Sequence, residues 1–538
     1  MKKFLVLLMV LFVAAMGFAG GKGEEAPAME KAAPAAEAAK APVVFRVASG
    51  AEPPTLDPSL SEDTTSHTIL LGLFEGLLIS DPKTNDGIPG MAESWTVSAD
   101  QMVYTFKLRK ATWSDGVPIT AKTFVDSWLR TLNPDTASPY AWLMGMAVEG
   151  ADAYNSGEAG PEAVKIRAVN DSTFEVTMVG PLPYVTSMLP HTVFAVLPMH
   201  VIEKYGEDWV LPGNMVSNGP FILETWKPQE ILTVVRNPKY YDAAIVKLDR
   251  IEYYPSDDSN TRLNMYLAGE VDFMDDGIPT DQIDALKTRD DFQIVPALAT
   301  YFYEFNHTEP PFNNVKLRKA LAMAIDKQTL VERVSRGGQL PANVVVPGMA
   351  NYTSPKGPGY NVEMARQLLA EAGYPGGKGF PKVTILYNTV EAHKKIAEYI
   401  QQQWEQNLGI SMSIENAEWK TVLARGKEQD FQVLRMGWIG DYIDPNTFLE
   451  LFQTDAGQNY GKYSNAEFDK LIQEAARMAP GPERMAKLAK AEEIFIVQDQ
   501  GIIPIYFYTN MDLIDTGKWG GWNATILDWQ PPKFIYKK

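Results

Sequence analysis

From Val43 onward the apolar positions switch repeatedly between two spacings, and no long stretch repeats. Tyr104, Phe106 and Leu108 alternate with Thr105 and Lys107, the period of two expected of a strand with one buried face. Phe174, Val176 and Met178 do the same. Elsewhere the spacing is helical. Asn361 is placed to start a helix that buries Ala365, Leu368, Leu369 and Ala372, and Gly373 with Pro375 stops it. A longer helix is predicted over Glu391–Leu408, ended by Gly409, after which Ile410, Met412 and Ile414 read as a strand. Ser464 and Glu467 have the spacing of a capping box ahead of Phe468, Leu471 and Ile472. Strands separated by helices of this length predict α/β lobes with mixed sheets.

The first residues break this pattern. Lys2 and Lys3 precede an apolar run from Phe4 to Phe18 that ends among the small residues Gly17, Ala19, Gly20 and Gly21. That is the layout of an export signal, and the run is shorter than the ~20 residues a membrane span needs. Cleavage after Ala19 is expected, giving a signal peptide over 1–19. From Lys22 to Pro42 the chain is nearly all Ala, Glu, Lys, Pro and Gly, so 20–42 reads as a flexible leader that cannot bury enough apolar area to order itself.

Composition narrows the chemistry. The chain has 538 residues, 45% of them hydrophobic, and a formal charge of -18. That length calls for about two or three domains. Such an acidic balance argues against nucleic acid, whose phosphates require a basic surface. There is no cysteine, which removes disulfides, thiolate metal sites and thiol nucleophiles together. It also removes the residue to which a lipoprotein lipid is attached, so a soluble periplasmic protein is expected. Phosphate loops, dinucleotide fingerprints, nucleophile elbows and H-E-x-x-H are all absent. His67, His191, His200, His307 and His393 are too far apart in sequence for a helical zinc pair. Adjacent acids such as Asp257–Asp258 and Asp275–Asp276 read best as loop residues rather than a glycosidase pair. No cofactor, no metal and no catalysis are expected.

The segment from Leu108 to Phe124, LRKATWSDGVPITAKTF, is locally a strand, an Asp-Gly turn and a helix capped by Thr120. As a string it resembles the signature of family 5 extracellular solute-binding proteins, the receptors of bacterial ABC importers for peptides and nickel. The resemblance extends through Glu52–Pro58, Leu73–Leu78, Thr136–Tyr140, Ser217–Pro220, Leu386–Thr389, Glu418–Thr421 and Gly437–Tyr442. The last of these is similar to the oligopeptide-binding branch. It implies an α/β, two-lobed periplasmic-binding-protein type II-like fold of the large peptide-binding class, closing on an extended peptide. The implied division is 43–74, 198–298 and 509–538 as the core of lobe I, 75–197 as its extra subdomain, and 299–508 as lobe II.

The resemblance also implies site residues. The acid matching Asp441 binds the peptide's amino terminus. Those matching Arg435 and His393 meet the carboxylate of shorter and longer peptides. Glu62, Tyr140, Asn388, Trp419, Trp438 and Tyr508 match pocket positions, although each alone could be ordinary core or surface. Taken alone, Asp441 would be a turn former, Arg435 a snorkelling surface arginine and His393 an exposed polar residue. This chain departs from the pattern at Ser335, where the family has a lysine for the shortest peptides. It also departs at Ala299 and Ile439, which replace a disulfide, and at Asp275 and Asp276, where relatives read Tyr-Asn-Asn. The two acids could favour basic ligand side chains or simply change the lobe's edge. The implied partners are an oligopeptide and an inner-membrane ABC permease, with the receptor a monomer. An oligosaccharide ligand in the same fold, and a secreted hydrolase using paired acids, are the alternatives.

Overall fold

The computed structural model describes residues 41–538 except Asp276 and Ala350. The expected signal peptide and nearly all of the expected leader lie outside the described residues, as does Asp276. The frame is one mixed sheet of eleven strands. Ten run in the order Phe221–Lys227, Ile231–Arg236, Arg250–Pro255, Val44–Ser49, Phe273–Met274, Ile502–Ile514, Phe292–Phe305, Val433–Ile439, Thr384–Asn388 and Ser413–Ala417. Leu340–Pro341 pairs beside Ile502–Ile514. Val44–Ser49 is parallel to both neighbours, as is Thr384–Asn388, and the remaining pairings are antiparallel.

Two long strands, Phe292–Phe305 and Ile502–Ile514, lie side by side in the middle of this sheet. Their register breaks where Pro296 faces Thr509 and the next pairing is Thr300 with Phe507. Within the break, Leu298 leaves the ladder: its N–H donates to the Ile526 carbonyl at 2.7 Å and its carbonyl accepts from Gly440 at 2.8 Å. Extra residues in one strand bend it and increase its twist.

Local chemistry accounts for the flanking elements. In Val103–Leu108, Tyr104, Phe106 and Leu108 are buried, as their alternation predicts. This strand sits in a four-stranded antiparallel sheet with Ala92–Val97, Thr173–Thr177 and Ile166–Asn170. Helix Ala121–Leu132 starts at Thr120, whose backbone N–H donates to the Thr123 hydroxyl at 3.1 Å. Helix Glu391–Leu408 buries Ile396, Ala397, Ile400, Trp404 and Leu408, and Gly409 ends it at φ +71°, a conformation glycine adopts without strain.

Three expectations need correction. The strand after Gly409 begins at Ser413, so Ile410 and Met412 are buried ahead of it rather than paired within it. The helix Ala466–Ala476 is capped by Asn465, whose side chain accepts from Glu467 and Phe468 N–H; the Ser464 hydroxyl instead accepts from Thr454. In helix Val362–Glu371 only Ala365 and Leu369 are buried, with Leu368 half-buried and Ala372 half-buried just beyond it.

Candidate functional site

A cleft of about 2140 Å³, including its open mouth, is lined by residues from well-separated stretches of the chain. Glu62, Tyr140, Asn388, His393, Trp419, Arg435, Trp438, Asp441 and Tyr508 all line it. So do Asp275, Ala299, Ser335 and Ile439. Residues from Glu62 to Tyr508 in sequence thus converge on one space.

Strand Val433–Ile439 forms its floor. On one side it pairs along its whole length, from Phe305–Val433 to Ala299–Ile439. On the other, Thr384–Asn388 pairs only with Val433 and Leu434. From Arg435 to Ile439 that second edge has no strand partner among the described residues, and all five residues line the cleft. An unpaired strand edge presents a row of N–H and C=O groups to whatever lies beside it. Ala299 and Ile439 are direct cross-strand neighbours.

Asp441 lies two residues beyond the end of this strand. It is buried, not the solvated turn residue its flanks suggest. Its N–H donates to the Thr447 hydroxyl at 3.0 Å. The Tyr140 hydroxyl donates to Oδ1 at 3.4 Å and His191 Nε2 stands 3.6 Å from the same oxygen. Oδ2 is buried without a hydrogen-bond partner among the described residues. Burial pushes the carboxyl up to about 8, against the opposing pull of the Tyr140 hydrogen bond. Around it Tyr140 stacks on His191 at 4.8 Å and on Trp438 at 6.2 Å. The surround is an acid enclosed by aromatic faces with no cation paired to it among the described residues, since His191 is held well below its usual pKa by burial and by His67.

Arg435 occupies the other end of the free edge, and it too is buried rather than snorkelling. Its guanidinium donates to Asn388 Oδ1 at 3.1 Å and to the Tyr508 hydroxyl, and lies 4.4 Å over the Tyr301 ring. A Cβ at Gly437 would fall 2.7 Å from that hydroxyl, so glycine there admits Tyr508 beside Arg435. Among the described residues no carboxylate pairs with Arg435, and its Nε is buried without a partner. His393 is half-buried, with Nδ1 3.5 Å from the Tyr301 hydroxyl. Burial and the Arg435 charge hold it well below its usual pKa, so it is a neutral hydrogen-bonding group.

The remaining residues divide. Trp419 opens the helix Trp419–Lys427, whose N-terminus is capped by the Glu418 carboxylate. Glu62 lines the cleft but is already engaged, by an ion pair with Lys427 and by the Tyr460 hydroxyl at 3.2 Å. Ser335 is buried, with its hydroxyl donating to Gln339 Oε1 at 3.1 Å. The neighbouring Arg336 pairs with Asp284 instead of entering the cleft. The carbonyl of Asp275 accepts from Arg262 at 3.0 Å.

Sequence reasoning missed His67, His191 and Trp529, which also line the cleft. The two imidazoles sit 5.1 Å apart, and His67 lies 4.9 Å from Trp529. No local motif marks them. Among the described residues no three His, Asp or Glu side chains converge to hold a metal ion, and no helix is long and apolar enough to cross a membrane.

Comparison with known proteins places this geometry. Residues 87–460 match the family model described as bacterial extracellular solute-binding proteins, family 5 Middle. The periplasmic oligopeptide-binding protein OppA of Escherichia coli is 37% identical over 476 residues, covering 86% of this chain and 87% of that protein. Haemophilus influenzae OppA in complex with RPPGFSPFR superposes with a TM-score of 0.89 at 33% identity, covering 93% of this chain and 99% of that one. Two structures of MppA, one of them from Escherichia coli, are each 31% identical and cover 93% of this chain. The murein tripeptide binding protein matches at 0.88 over 99% of its chain, whereas its unliganded open form matches at 0.62 over 98%. The overall match is thus better to the former than to the open form. The chain belongs to the bacterial extracellular solute-binding proteins of family 5.

Proposed function

We propose that this protein is a periplasmic receptor that captures oligopeptides and delivers them, as a monomer, to an inner-membrane ABC permease. The observation that carries this reading is the free strand edge Arg435–Ile439, with an unmatched acid beyond one end and an unmatched guanidinium at the other. An extended peptide can bond to such an edge through its backbone, at roughly 0.5–1.5 kcal/mol per bond and without regard to side-chain identity. Its ammonium group goes to Asp441 and its carboxylate to Arg435, or to His393 in longer peptides. The ligand therefore runs antiparallel to the strand. Six residues at ~3.3 Å each allow up to roughly 20 Å between Asp441 and Arg435, a span suited to about four or five ligand residues. The relatives named for oligopeptides support the same assignment.

The lobes proposed from the sequence meet at the bulge in the two long strands, and bending there opens and closes the cleft as in the hinge closure of periplasmic binding proteins generally. Tyr140, Asn388, Trp419, Trp438 and Tyr508 form the walls. Glu62 contributes by holding Lys427 and Tyr460 across the cleft. Ser335 supplies no cation, so dipeptides bind weakly. The acids at 275 and 276 favour ligands with Lys or Arg, and a peptide library showing no such preference would remove that part. No reaction is catalysed, and a peptide incubated with the protein is recovered intact.

Native mass spectrometry with a free tetrapeptide, its N-acetylated form, its C-terminal amide and a neutral oligosaccharide tests the assignment. The free tetrapeptide is expected to bind best, with at least a tenfold loss on acetylation. Equal binding of the acetylated form, or preference for the oligosaccharide, would sink it.

Burial of Asp441 adds a pH dependence. Binding an ammonium group requires the carboxylate, and the free protein holds that proton up to about pH 8. A ligand α-amino group keeps its own proton to about pH 7.7–8.0. Affinity is therefore expected to strengthen about tenfold or more from pH 5.5 to 7.5, then turn over above about 8. Calorimetry across that range checks this; a constant Kd contradicts it.

A further inference from the structure

The two described groups that reach the Asp441 carboxyl both approach the same oxygen. The Tyr140 hydroxyl is 3.4 Å from Oδ1 and His191 Nε2 is 3.6 Å from it, while Oδ2 has no partner. The other face of His191 fixes what its Nε2 can be. The Val193 backbone N–H donates to His191 Nδ1 at 3.2 Å, between two buried residues. A ring nitrogen that accepts a hydrogen bond carries no hydrogen, so a neutral imidazole with Nδ1 engaged has its hydrogen on Nε2. That is the atom facing Asp441.

The surroundings keep the ring neutral. The His191 side chain is only 8% exposed, stacks on Tyr140 at 16°, and lies beside His67 at 5.1 Å and Trp529 at 6.1 Å. Among the described residues its titratable neighbours are Asp441, which faces its Nε2, and Tyr140 and His67, which are themselves neutral, His67 being pushed down to about 4 by burial. A protonated His191 would satisfy Asp441 and compete with a ligand cation. A neutral donor orients the carboxyl and leaves its charge unmatched. The present 3.6 Å is longer than a hydrogen bond, and the gap closes when Asp441 ionises against a ligand.

We propose that His191 is the positioning residue for ligand-ammonium recognition: as a fixed neutral Nε2–H donor it holds Oδ1 of Asp441, so that Oδ2 is presented to the incoming ammonium group. Thr192 and Val193 place it, through the short turn Thr192–Phe194 that the His191 side chain itself caps. The inference rests on the reading that Asp441 meets the peptide amine.

The test combines affinity with a spectroscopic signature. Calorimetry with a free tetrapeptide compares wild type, His191→Leu, His191→Gln, Asp441→Asn and the double variant His191→Leu/Asp441→Asn. His191→Leu is expected to weaken binding about tenfold, His191→Gln to restore most of it through its side-chain N–H, and His191→Leu to cost nothing further in the Asp441→Asn background. Nitrogen NMR of the wild-type imidazole is expected to report the neutral Nε2–H tautomer throughout pH 5.5–8, which remains decisive even where His191→Leu folds poorly. A ring protonated at pH 6, affinity within twofold in His191→Leu, or a loss additive with Asp441→Asn overturns the inference. An unchanged affinity in Asp441→Asn would instead overturn the amine assignment itself.

Discussion

Replacing Asp441 with Asn is expected to weaken binding of a free peptide at least tenfold while raising the melting temperature of the ligand-free protein. The two effects have one cause. The carboxyl is buried among Tyr140, His191 and Trp438 with one oxygen unpartnered, so in the empty cleft its charge is costly. Its folded-state pKa lies above the ordinary carboxylate value, at about 8, so the folded protein holds the proton more tightly than the unfolded chain does. The stability this confers is complete below pH ~4 and is lost as pH rises toward 8. At neutral pH the free protein has therefore given up most of it, and an uncharged amide of the same shape avoids the loss. A chain of ~500 residues shifts by roughly 1 °C per kcal/mol, so a gain of a few degrees is expected at pH 7.5 and little at pH 4. On the ligand side, removing one member of a desolvated charge pair typically costs ~3–5 kcal/mol, a loss on the order of 10²–10³ in affinity. Thermal melts at both pH values with calorimetry on the same samples check both. A folded variant with unchanged affinity would refute the role, and a lower melting temperature at pH 7.5 would refute the strain.

Which features were legible in the sequence follows from how local their causes are. The alternation at Tyr104, Phe106 and Leu108 and the stop at Gly409 depend on neighbours a few residues away, and both are where the pattern puts them. Asn465 rather than Ser464 caps its helix because both residues can cap, and the choice is decided when Thr454 takes the Ser464 hydroxyl. Asp441 could be named because it sits in a string that resembles the oligopeptide-binding branch, and Arg435, six residues before it, because it matches an arginine of that branch, yet their burial could not. It depends on Tyr140, Tyr301 and Tyr508 arriving from distant segments. The same distance hid the engagement of Glu62 by Lys427 and Tyr460. His67 and His191, judged too far apart to act together on a helix, are neighbours because a helix and a turn from separate stretches pack face to face. Sequence spacing bears on pairs within one element and is silent on pairs between elements.

The loop that carries Asp441 owes its position to a second buried charge, and breaking it is expected to have the largest effect on stability. Arg484 is fully buried and grips Asp444 with two hydrogen bonds of 2.7 and 2.9 Å, while its Nε donates to the Ala475 carbonyl at 3.0 Å. Asp444 in turn accepts from the Asn446 N–H at 3.0 Å and so starts the short turn Pro445–Phe448. That turn contains Thr447, whose hydroxyl accepts the N–H of Asp441. Arg484→Met keeps most of the side-chain volume but leaves the Asp444 carboxylate buried without its cation, a defect of ~3–5 kcal/mol. The expected fall in melting temperature is about 3–5 °C. Adding Asp444→Asn removes the stranded charge and is expected to recover most of that fall, because deleting both ions costs far less than deleting one. Peptide affinity separates stability from positioning. If the pair holds Asp441 in place, Arg484→Met loses affinity under conditions where it is fully folded, and Arg484→Met/Asp444→Asn does not regain all of it. A melting temperature within 1 °C of wild type would show that the Asp444 charge finds other compensation. Full affinity in a folded Arg484→Met would show that the Thr447 contact alone positions the acid.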